Sequence, residues 1–395
     1  MKDSNSVDRF YFDHNASTPV PPEVLDALTG ALRETCGNAS SVHHFGQEAR
    51  RHLETARRSV AALLNCAPKE LVLTSGGTES DNLAVFGVAR RSARPGRHVI
   101  TTAIEHPAVL NACAQLEREG VEVTYIRPSP EGVVDPDDVR RALRPETVLI
   151  SVIHASNELG TVQPVAEIAR IGREAGVAVH SDGVQAAGKI PVDVAELGVD
   201  LYAVSAHKLY APKGVGALYV REGVELAPLL FGGRHEGGRR PGTENVPGAA
   251  AFARAAELAL DNLADDGSRI GRLRDRLEEG ILARVPESAV NGAGAPRVPN
   301  TTNIRFAAVS GEAMLIALDL AGFAVSSGAA CSSGAVEPSH VLTAIGLSRD
   351  DARASLRFSL GRGNTTGQVD ALIEAVAAAA SHLRRLSPEW AGHAR

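Results

Sequence analysis

The sequence predicts an α/β fold: a large domain with a mostly parallel sheet between two layers of helices, and a small α+β domain. Two observations lead to this prediction. Between residues 70 and 220, nearly continuous apolar runs such as residues 147–153 alternate with segments of helical periodicity. After a Gly- and Arg-rich loop at residues 231–243 come two long helices and then shorter strands and helices. The expected domains are residues 21–262 (large), residues 263–395 (small, carrying the loop of Cys331) and residues 1–20, which join the small domain.

Each element of the large domain is predicted from its own pattern. Leu25, Leu28 and Leu32 share one face of a helix, and a second amphipathic helix follows. The predicted helices are residues 22–33, 47–64, 75–91, 107–119 and 165–175. Apolar runs bounded by turn residues predict strands at residues 71–74, 98–103, 121–126, 147–153, 177–180, 201–205 and 216–220.

The small domain is predicted from shorter segments. A helix at residues 246–262 still belongs to the large domain. The helices of the small domain are residues 268–284, 311–320, 338–345 and one from about 366. Its strands are residues 302–306, 323–326 and 355–360.

Polar residues follow several strands of the predicted parallel sheet. Right-handed crossovers bring the loops at the carboxyl ends of such strands to one edge, so we expect functional side chains there. The residues at this edge are Thr78, His106, Asn157, Asp182 and Lys208.

The composition excludes several classes of protein. The chain has 395 residues and a net charge of −6, which argues against a surface for nucleic acid or anionic membranes. Residues 1–10 are polar and no apolar stretch approaches the length of a membrane span, so we expect neither secretion nor membrane insertion. The 4 cysteines share no CxxC spacing, which disfavours a zinc or redox pair and fits a reducing cytoplasm.

One lysine follows a predicted strand, at a position where its amine could be held at a fixed point above a ligand. An apolar strand ends in Ser205-Ala206-His207-Lys208, followed by a loop marked by Pro212 and Gly214. A lysine held at such a point suits Schiff-base formation, most commonly with pyridoxal phosphate. Taken alone, an exposed lysine is the commoner outcome.

Three further segments supply parts that such a lysine needs. The turn at residues 75–78 offers backbone N–H groups and a positive helix end to a phosphate, although for this segment alone an ordinary N-cap by Thr78 is the commoner outcome. Asp182 could keep a pyridine nitrogen protonated, or cap a helix. His106, before Pro107, could stack on a ring and move protons, or be structural.

The last two candidates lie in the small domain. Arg357 projects from an alternating strand on the side opposite Leu356 and Phe358, which suits a substrate carboxylate or else a surface ion pair. Cys331 lies in a loop of small residues at 326–334, where nothing bulky shields its thiol, so reactivity is favoured over burial.

In order along the chain, these segments resemble the cysteine desulfurases of the NifS/IscS type, which are class-V aminotransferases and fold-type I pyridoxal-phosphate enzymes. The resemblance runs from Tyr11 to about Arg362. It is carried by residues 74–82 (Thr-Ser-Gly-Gly-Thr-Glu-Ser-Asp-Asn), 102–107, 157–160 (Asn-Glu-Leu-Gly), 207–208 (His-Lys) and 326–340. It implies a seven-stranded, mostly parallel sheet in the large domain.

The resemblance also implies a reaction and a role for each catalytic residue. Lys208 binds the cofactor and removes the Cα proton, while Asp182 pairs with the pyridine nitrogen. His106 stacks on the ring and assists proton transfer, and Arg357 takes the substrate carboxylate. Cys331 attacks the substrate sulfur, which leaves an enzyme persulfide and releases alanine from L-cysteine.

The other implied cofactor contacts are shared by several loops. Gln185 and Asn157 contact the phenolic oxygen and the substrate. The phosphate is held by Gly77, Thr78, Ser205 and His207, joined by Thr243 from the neighbouring subunit of a homodimer. We expect a cytoplasmic enzyme that passes sulfur to acceptor proteins, with no metal and no direct contact with nucleic acid or membrane.

A few positions depart from the family pattern, and several alternatives stay open. The departures are Ser156, Gly77, Gly183, Val184 and Ser332, none of which removes a catalytic group. A selenocysteine lyase or another C–S lyase is the main alternative, ahead of a class-V aminotransferase and a non-catalytic scaffold. The sulfur could go to iron–sulfur clusters, tRNA, nitrogenase or DNA.

Overall fold

The computed structural model describes residues 8–94, 96–327, 338–386 and 390. Its strands, in chain order, are β1 (Phe10–Tyr11), β2 (Leu71–Thr74), β3 (His98–Thr102), β4 (Glu122–Ile126), β5 (Thr147–Ser151), β6 (Ala178–Asp182), β7 (Leu201–Ser205), β8 (Gly216–Val220), β9 (Ser288–Val290), β10 (Thr301–Phe306), β11 (Phe323–Ala324) and β12 (Ser355–Ser359).

The described helices surround these strands. In chain order they are α1 (Pro22–Glu34), α2 (His44–Leu64), α3 (Gly77–Arg91), α4 (Pro107–Arg118), α5 (Pro136–Ala142), α6 (Val165–Glu174), α7 (Val194–Leu197), α8 (Val246–Asp261), α9 (Leu263–Arg284), α10 (Gly311–Leu320), α11 (His340–Ala344), α12 (Arg349–Arg353) and α13 (Thr366–Leu386). Short 3₁₀ turns occupy Pro68–Glu70, Ala206–Lys208 and His235–Gly238. None of the described helices is long and apolar enough to cross a lipid bilayer.

The large sheet has seven strands in the order β2-β8-β7-β6-β5-β3-β4. Strand β8 runs antiparallel to both of its neighbours, and the other strand pairs are parallel. The predicted α/β fold with a seven-stranded, mostly parallel sheet is therefore confirmed. The carboxyl ends of β3, β5, β6 and β7 lie at one edge, as expected from the right-handed connections of such sheets.

Both faces of this sheet are buried, which explains why its strands are nearly continuous apolar runs in the sequence. On one face Ile150, Val179 and Val204 pack with Phe252 of α8. On the other face the apolar side chains of α3 and α4 cover Leu149 and its neighbours. Burying a side chain of this size contributes about 1.5–3 kcal/mol, so this two-sided core dominates the stability of the large domain.

The small sheet, β12-β10-β9, is antiparallel and is covered by α9 and α13. Phe12 is fully buried in the same core as Phe306 and Phe358, and β1 pairs with β11. This packing supports the predicted union of residues 1–20 with the small domain, although the domain boundaries stay predictions. Helix α9 begins at Leu263 rather than at residue 268, so Gly267 lies within its first turns.

Candidate active site

A cavity of about 660 Å³ opens at the carboxyl edge of the large sheet. Residues of the N-terminal segment, the large domain and the small domain line it together. Of the residues predicted for the site, it brings together Gly77, Thr78, His106, Asn157, Asp182, Gln185, Ser205, His207, Lys208 and Arg357. Cys331 lies outside the described residues.

Thr243 does not line this cavity. It is exposed and borders a separate recess of about 80 Å³ with Ser75 and Arg240. The expected contact of Thr243 with a phosphate in the neighbouring subunit stays a prediction.

The loop of Lys208 is held by the N-terminal segment. Strand β7 ends at Ser205 and a 3₁₀ turn brings Lys208 to the cavity, where its amine donates to the main-chain oxygens of Asn15 and of Ala16 (2.8 Å). The hydroxyl of Thr18 donates to the main-chain oxygen of His207 at 2.9 Å. These contacts fix the backbone around the lysine, so its amine enters the cavity from a defined point.

The turn between β2 and α3 has the shape that a phosphate requires. Gly76 precedes the helix with a φ of +150°, a conformation that residues with side chains rarely adopt. No side chain among the residues that the structure describes caps α3, so the predicted N-cap by Thr78 does not form there. The first N–H groups of a helix have no partner within it, and the Ser205 hydroxyl lies beside this turn. The turn can therefore bind an anion.

Buried carboxyl groups form the floor of the cavity. Asp182 is the last residue of β6, and its Oδ1 accepts a hydrogen bond from Val184 N at 2.9 Å. Burial raises the pKa of Asp182, an effect opposed by the charges of His106 and Lys208. Asp81 and Glu105 lie nearby and are also buried. Burial raises the pKa of Glu105 to about 8.

The ring of His106 is oriented by the helix that follows it. Its Nδ1 accepts a hydrogen bond from Ala108 N at 3.1 Å, which assigns the proton of the neutral ring to Nε2. Burial lowers the pKa of His106, partly offset by the charge of Asp182. A neutral His106 can therefore donate a hydrogen bond from Nε2.

Arg357 is buried at the opposite wall and is held on two sides. Its Nη2 donates to Asp13 Oδ1 at 2.6 Å, and its Nη1 donates to the main-chain oxygen of Asn157 at 3.1 Å. Nε has no hydrogen-bond partner among the described residues. Nε is buried, so the donors that remain for a ligand are the second N–H groups of Nη1 and Nη2, while the Asp13 carboxylate balances the charge.

Sequence reasoning missed several residues at this site. Asp13, Asn15 and Lys189 contact the predicted residues, and Glu158 and His340 line the cavity. The only signal for the first two was the polar sequence after an aromatic strand at residues 10–12, which suggested a loop packed near something important. Nothing in the local sequence singles out Lys189.

Two pairs of residues explain three of the five departures from the family pattern, those at Gly77, Gly183 and Val184. A Cβ at Gly77 would lie 2.8 Å from Val184 Cγ2, and a Cβ at Gly183 would lie 2.0 Å from the ring of Tyr202. Tyr202 in turn shares a hydrogen bond of 2.7 Å with His154. Each glycine therefore makes room for a larger neighbour, so the substitutions are coupled and keep the cavity intact.

The residues present fit pyridoxal phosphate. The turn at α3 suits its phosphate, the amine of Lys208 suits its aldehyde, and the buried carboxyl of Asp182 suits a protonated ring nitrogen. The carboxyl lacks solvent, so a cationic partner would stabilise its ionised form.

Comparisons with known proteins span nearly the whole chain. Residues 10–372 match the family Aminotransferase class-V. A cysteine desulfurase IscS from Dictyoglomus turgidum is 45% identical, covering 96% of this chain and 97% of its own. A cysteine desulfurase from Trichormus azollae is 48% identical, with 96% and 94% covered. The solved structure of a NifS-like protein has a TM-score of 0.88 and 37% identity, covering 95% of this chain and 100% of its own.

Proposed function

This chain belongs to the cysteine desulfurases of the class-V aminotransferase family, and we propose that it converts L-cysteine to L-alanine with pyridoxal phosphate bound in this cavity. The observation that carries the proposal is the meeting of Lys208, Asp182 and Arg357 in one cavity. An amine, a buried carboxyl and a carboxylate-binding cation are the three groups that a lysine-linked cofactor and an amino-acid substrate need.

The cofactor is held by its phosphate and by its ring. The turn at Gly77 and Thr78 and the side chains of Ser205 and His207 bind the phosphate. Asp182 holds the proton of the ring nitrogen. When bound, pyridoxal phosphate acts as a sink for the electrons released at the substrate carbon.

The substrate is oriented by the small domain and processed by the large one. Arg357 binds the carboxylate of L-cysteine with the donors that Asp13 and Asn157 leave available. Lys208 takes the proton from Cα, which requires its amine to be uncharged. His106 donates from Nε2, the position at which the contact with Ala108 N leaves its proton.

Cys331 receives the sulfur. Its thiolate attacks the substrate Sγ, an S–S bond forms and the C–S bond breaks. The electron pair of the broken bond goes to the substrate carbon, which takes up a proton and becomes the methyl group of alanine, while Lys208 returns to Cα the proton that it took. Cys331 then carries a persulfide that a thiol or a sulfur-acceptor protein removes.

We also propose a cytoplasmic homodimer. The exposed position of Thr243, away from the cavity of its own chain, supports a contribution to a second subunit. Exposed apolar side chains support the same idea, above all Phe231 at 89% and Val42 at 92% exposure. The low use of cysteine, without CxxC pairs, supports a reducing compartment.

The activity is tested by product analysis of the purified protein. With L-cysteine and a reducing thiol, we expect equal amounts of alanine and sulfide to form without a 2-oxo acid. A requirement for a 2-oxo acid would indicate an aminotransferase and contradict the proposal. A parallel assay with L-selenocysteine measures the preference between the two amino acids, and a strict requirement for selenium would also contradict it.

A further inference from the structure

A second lysine, Lys189, lies beside Lys208 and has no part in the mechanism described above. Its amine donates to Asn15 Oδ1 at 3.1 Å and to Gln185 Oε1. The main-chain oxygen of Asn15 meanwhile accepts a hydrogen bond from the amine of Lys208. The two lysines are therefore attached to the side chain and the main chain of the same residue.

Asn15 can hold Lys189 in one orientation only. Its Nδ2 donates to Thr301 Oγ1 at 2.8 Å and to the main-chain oxygen of Asn157 at 3.1 Å. Both groups are acceptors here, so the amide nitrogen must face them and Oδ1 must face the donors of Lys189 and Asn300. Asn15 is 2% exposed, and its buried amide has no alternative partner in water.

Lys189 also fixes the amide of Gln185. Gln185 Nε2 donates to the main-chain oxygen of Asn15 at 3.0 Å, and Lys189 donates to Gln185 Oε1. Because a lysine amine here acts as the donor, it sets the oxygen of this amide on its own side and the NH₂ group on the side of Asn15. Gln185 lines the cavity, so Lys189 controls which of its atoms a ligand meets.

The charges around this pair of amines are mostly positive. Burial lowers the pKa of Lys189, and the charges of Lys208 and Arg357 lower it further. The charge of Lys189 also contributes to the lowered pKa of His14 and of His207. Other ionisable groups face this region from two sides. Asp182 and His106 lie on the cavity side of Lys208. Asp266 and Arg362 form an ion pair at 2.6 Å and line, with Lys189, a void of about 30 Å³.

We propose that Lys189 is a positioning residue for Lys208: its hydrogen bonds hold the side chains of Asn15 and Gln185 beside Lys208, and while it is protonated its charge opposes protonation of the Lys208 nitrogen. This inference rests on the proposed function, in which Lys208 bonds to the cofactor. In that reaction the nitrogen lone pair attacks the aldehyde carbon, a C=N bond forms, and the oxygen leaves as water with two protons. Only an uncharged amine has the lone pair that this step needs.

The test uses the full-length, cofactor-loaded protein without substrate. The visible absorbance of the lysine-bound cofactor is titrated with pH in the wild type, Lys189→Met, Lys189→Gln and Lys189→Arg. Lys69→Met is the matched control, because Lys69 is exposed and paired with Glu222. The midpoint reports protonation of the Lys208 nitrogen, a quantity that a purely structural role of Lys189 would not move.

The expected result is an order of midpoints. Loss of a neighbouring positive charge raises the midpoint in Lys189→Met and Lys189→Gln by about one pH unit. Lys189→Arg, which keeps the charge, titrates at or below the wild-type midpoint, and Lys69→Met matches the wild type. Lys189→Gln keeps a donor, so it provides the uncharged variant if Lys189→Met fails to fold by circular dichroism.

Two results overturn the inference, and they are distinguishable. Wild-type midpoints in both uncharged variants would show that Lys189 does not act on Lys208. A wild-type protein that never attaches pyridoxal phosphate to Lys208, seen as absence of the cofactor after borohydride reduction and peptide mapping, would contradict the proposed function itself.

Discussion

The floor of the cavity is acidic and its opposite wall is basic, and the two are built differently. The floor consists of the buried carboxyl groups of Asp182 and Asp81, with Glu105 close to them outside the lining, and Asp182 and Glu105 accept hydrogen bonds from main-chain N–H groups. The wall consists of Lys208 and Arg357, which are both held by the N-terminal segment, Arg357 with a further contact to Asn157. Arg357 and Asp13 are 344 residues apart in sequence, while Asp182 and Val184 are 2 apart.

The ionisable groups of the floor and of the wall are therefore controlled in different ways. On the floor, burial decides how readily each carboxyl ionises. On the wall, contacts made when the N-terminal segment packs between both domains decide where each cation points. Variants of the wall should therefore change cofactor attachment and substrate binding, and variants of the floor should change ionisation and stability.

The largest effect is expected at Lys208. Lys208→Ala removes both the bond to the cofactor and the group that moves the Cα proton, so alanine formation should fall on the order of 10³-fold or more. The visible absorbance of the lysine-bound cofactor should disappear. Lys69→Ala, which removes an exposed lysine, should change neither quantity, and an active Lys208→Ala protein would refute the wall's catalytic role.

The next effect is expected at Arg357. Arg357→Ala removes at least one charged hydrogen bond to the substrate carboxylate, worth about 1.5–3 kcal/mol, so kcat/KM for L-cysteine should fall at least about 10- to 100-fold, mainly through KM. Arg357→Lys should recover only part of this loss because an ammonium cannot bind a carboxylate in bidentate fashion. Steady-state kinetics would reject the assignment if KM stayed at its wild-type value.

A smaller effect is expected at the turn beside the floor. The methyl group of Gly77→Ala would crowd Val184, at a cost of about 1–3 kcal/mol, so cofactor affinity should drop about tenfold. Adding Val184→Ala should restore most of it. Cofactor dissociation constants of the two single variants and the double variant form a double-mutant cycle, and additive effects would show that the two positions are independent.

The last effect is expected at Glu105, where stability changes with pH and activity changes least. The pKa of Glu105 in the folded state, about 8, lies above that of an exposed glutamate, so the folded state binds the proton more tightly. The contribution of Glu105 to stability is then full below the ordinary glutamate pKa. It declines by up to about 1.4 kcal/mol per pH unit until pH reaches the folded pKa.

Glu105→Gln tests this directly. The amide oxygen can keep the hydrogen bonds from Thr102 and Ile153 N without ionising. The free energy of unfolding of this variant relative to the wild type should therefore rise with pH, as measured by urea unfolding between acidic and mildly alkaline pH. A constant difference would show that Glu105 does not retain its proton.

The same contrast explains what the sequence could predict. Asp182, His106 and Lys208 follow apolar strands, and a local pattern is sufficient to place them at one edge of a parallel sheet. Asn15 and Lys189 required tertiary contacts, since their partners lie up to 286 residues away. Patterns of strands and helices contain no information about such contacts.

The departures at glycine illustrate the same limit. Gly77 and Gly183 are visible in the sequence as unusual residues, but their fit to Val184 and Tyr202 depends on distances in the folded chain. The roles assigned to the individual site residues, including that of Cys331, stay predictions for mutagenesis.

The most direct test of the proposed reaction identifies the residue that holds the sulfur. Wild type and Cys331→Ser are mixed with L-cysteine in the absence of reducing thiol, and their peptides are analysed by mass spectrometry without reduction. We predict one additional sulfur atom on the peptide of Cys331 in the wild type. Cys331→Ser should bind the cofactor normally but form neither persulfide nor alanine in repeated turnover. Wild-type alanine formation by Cys331→Ser, or a persulfide on Cys36, Cys66 or Cys113, would contradict the account.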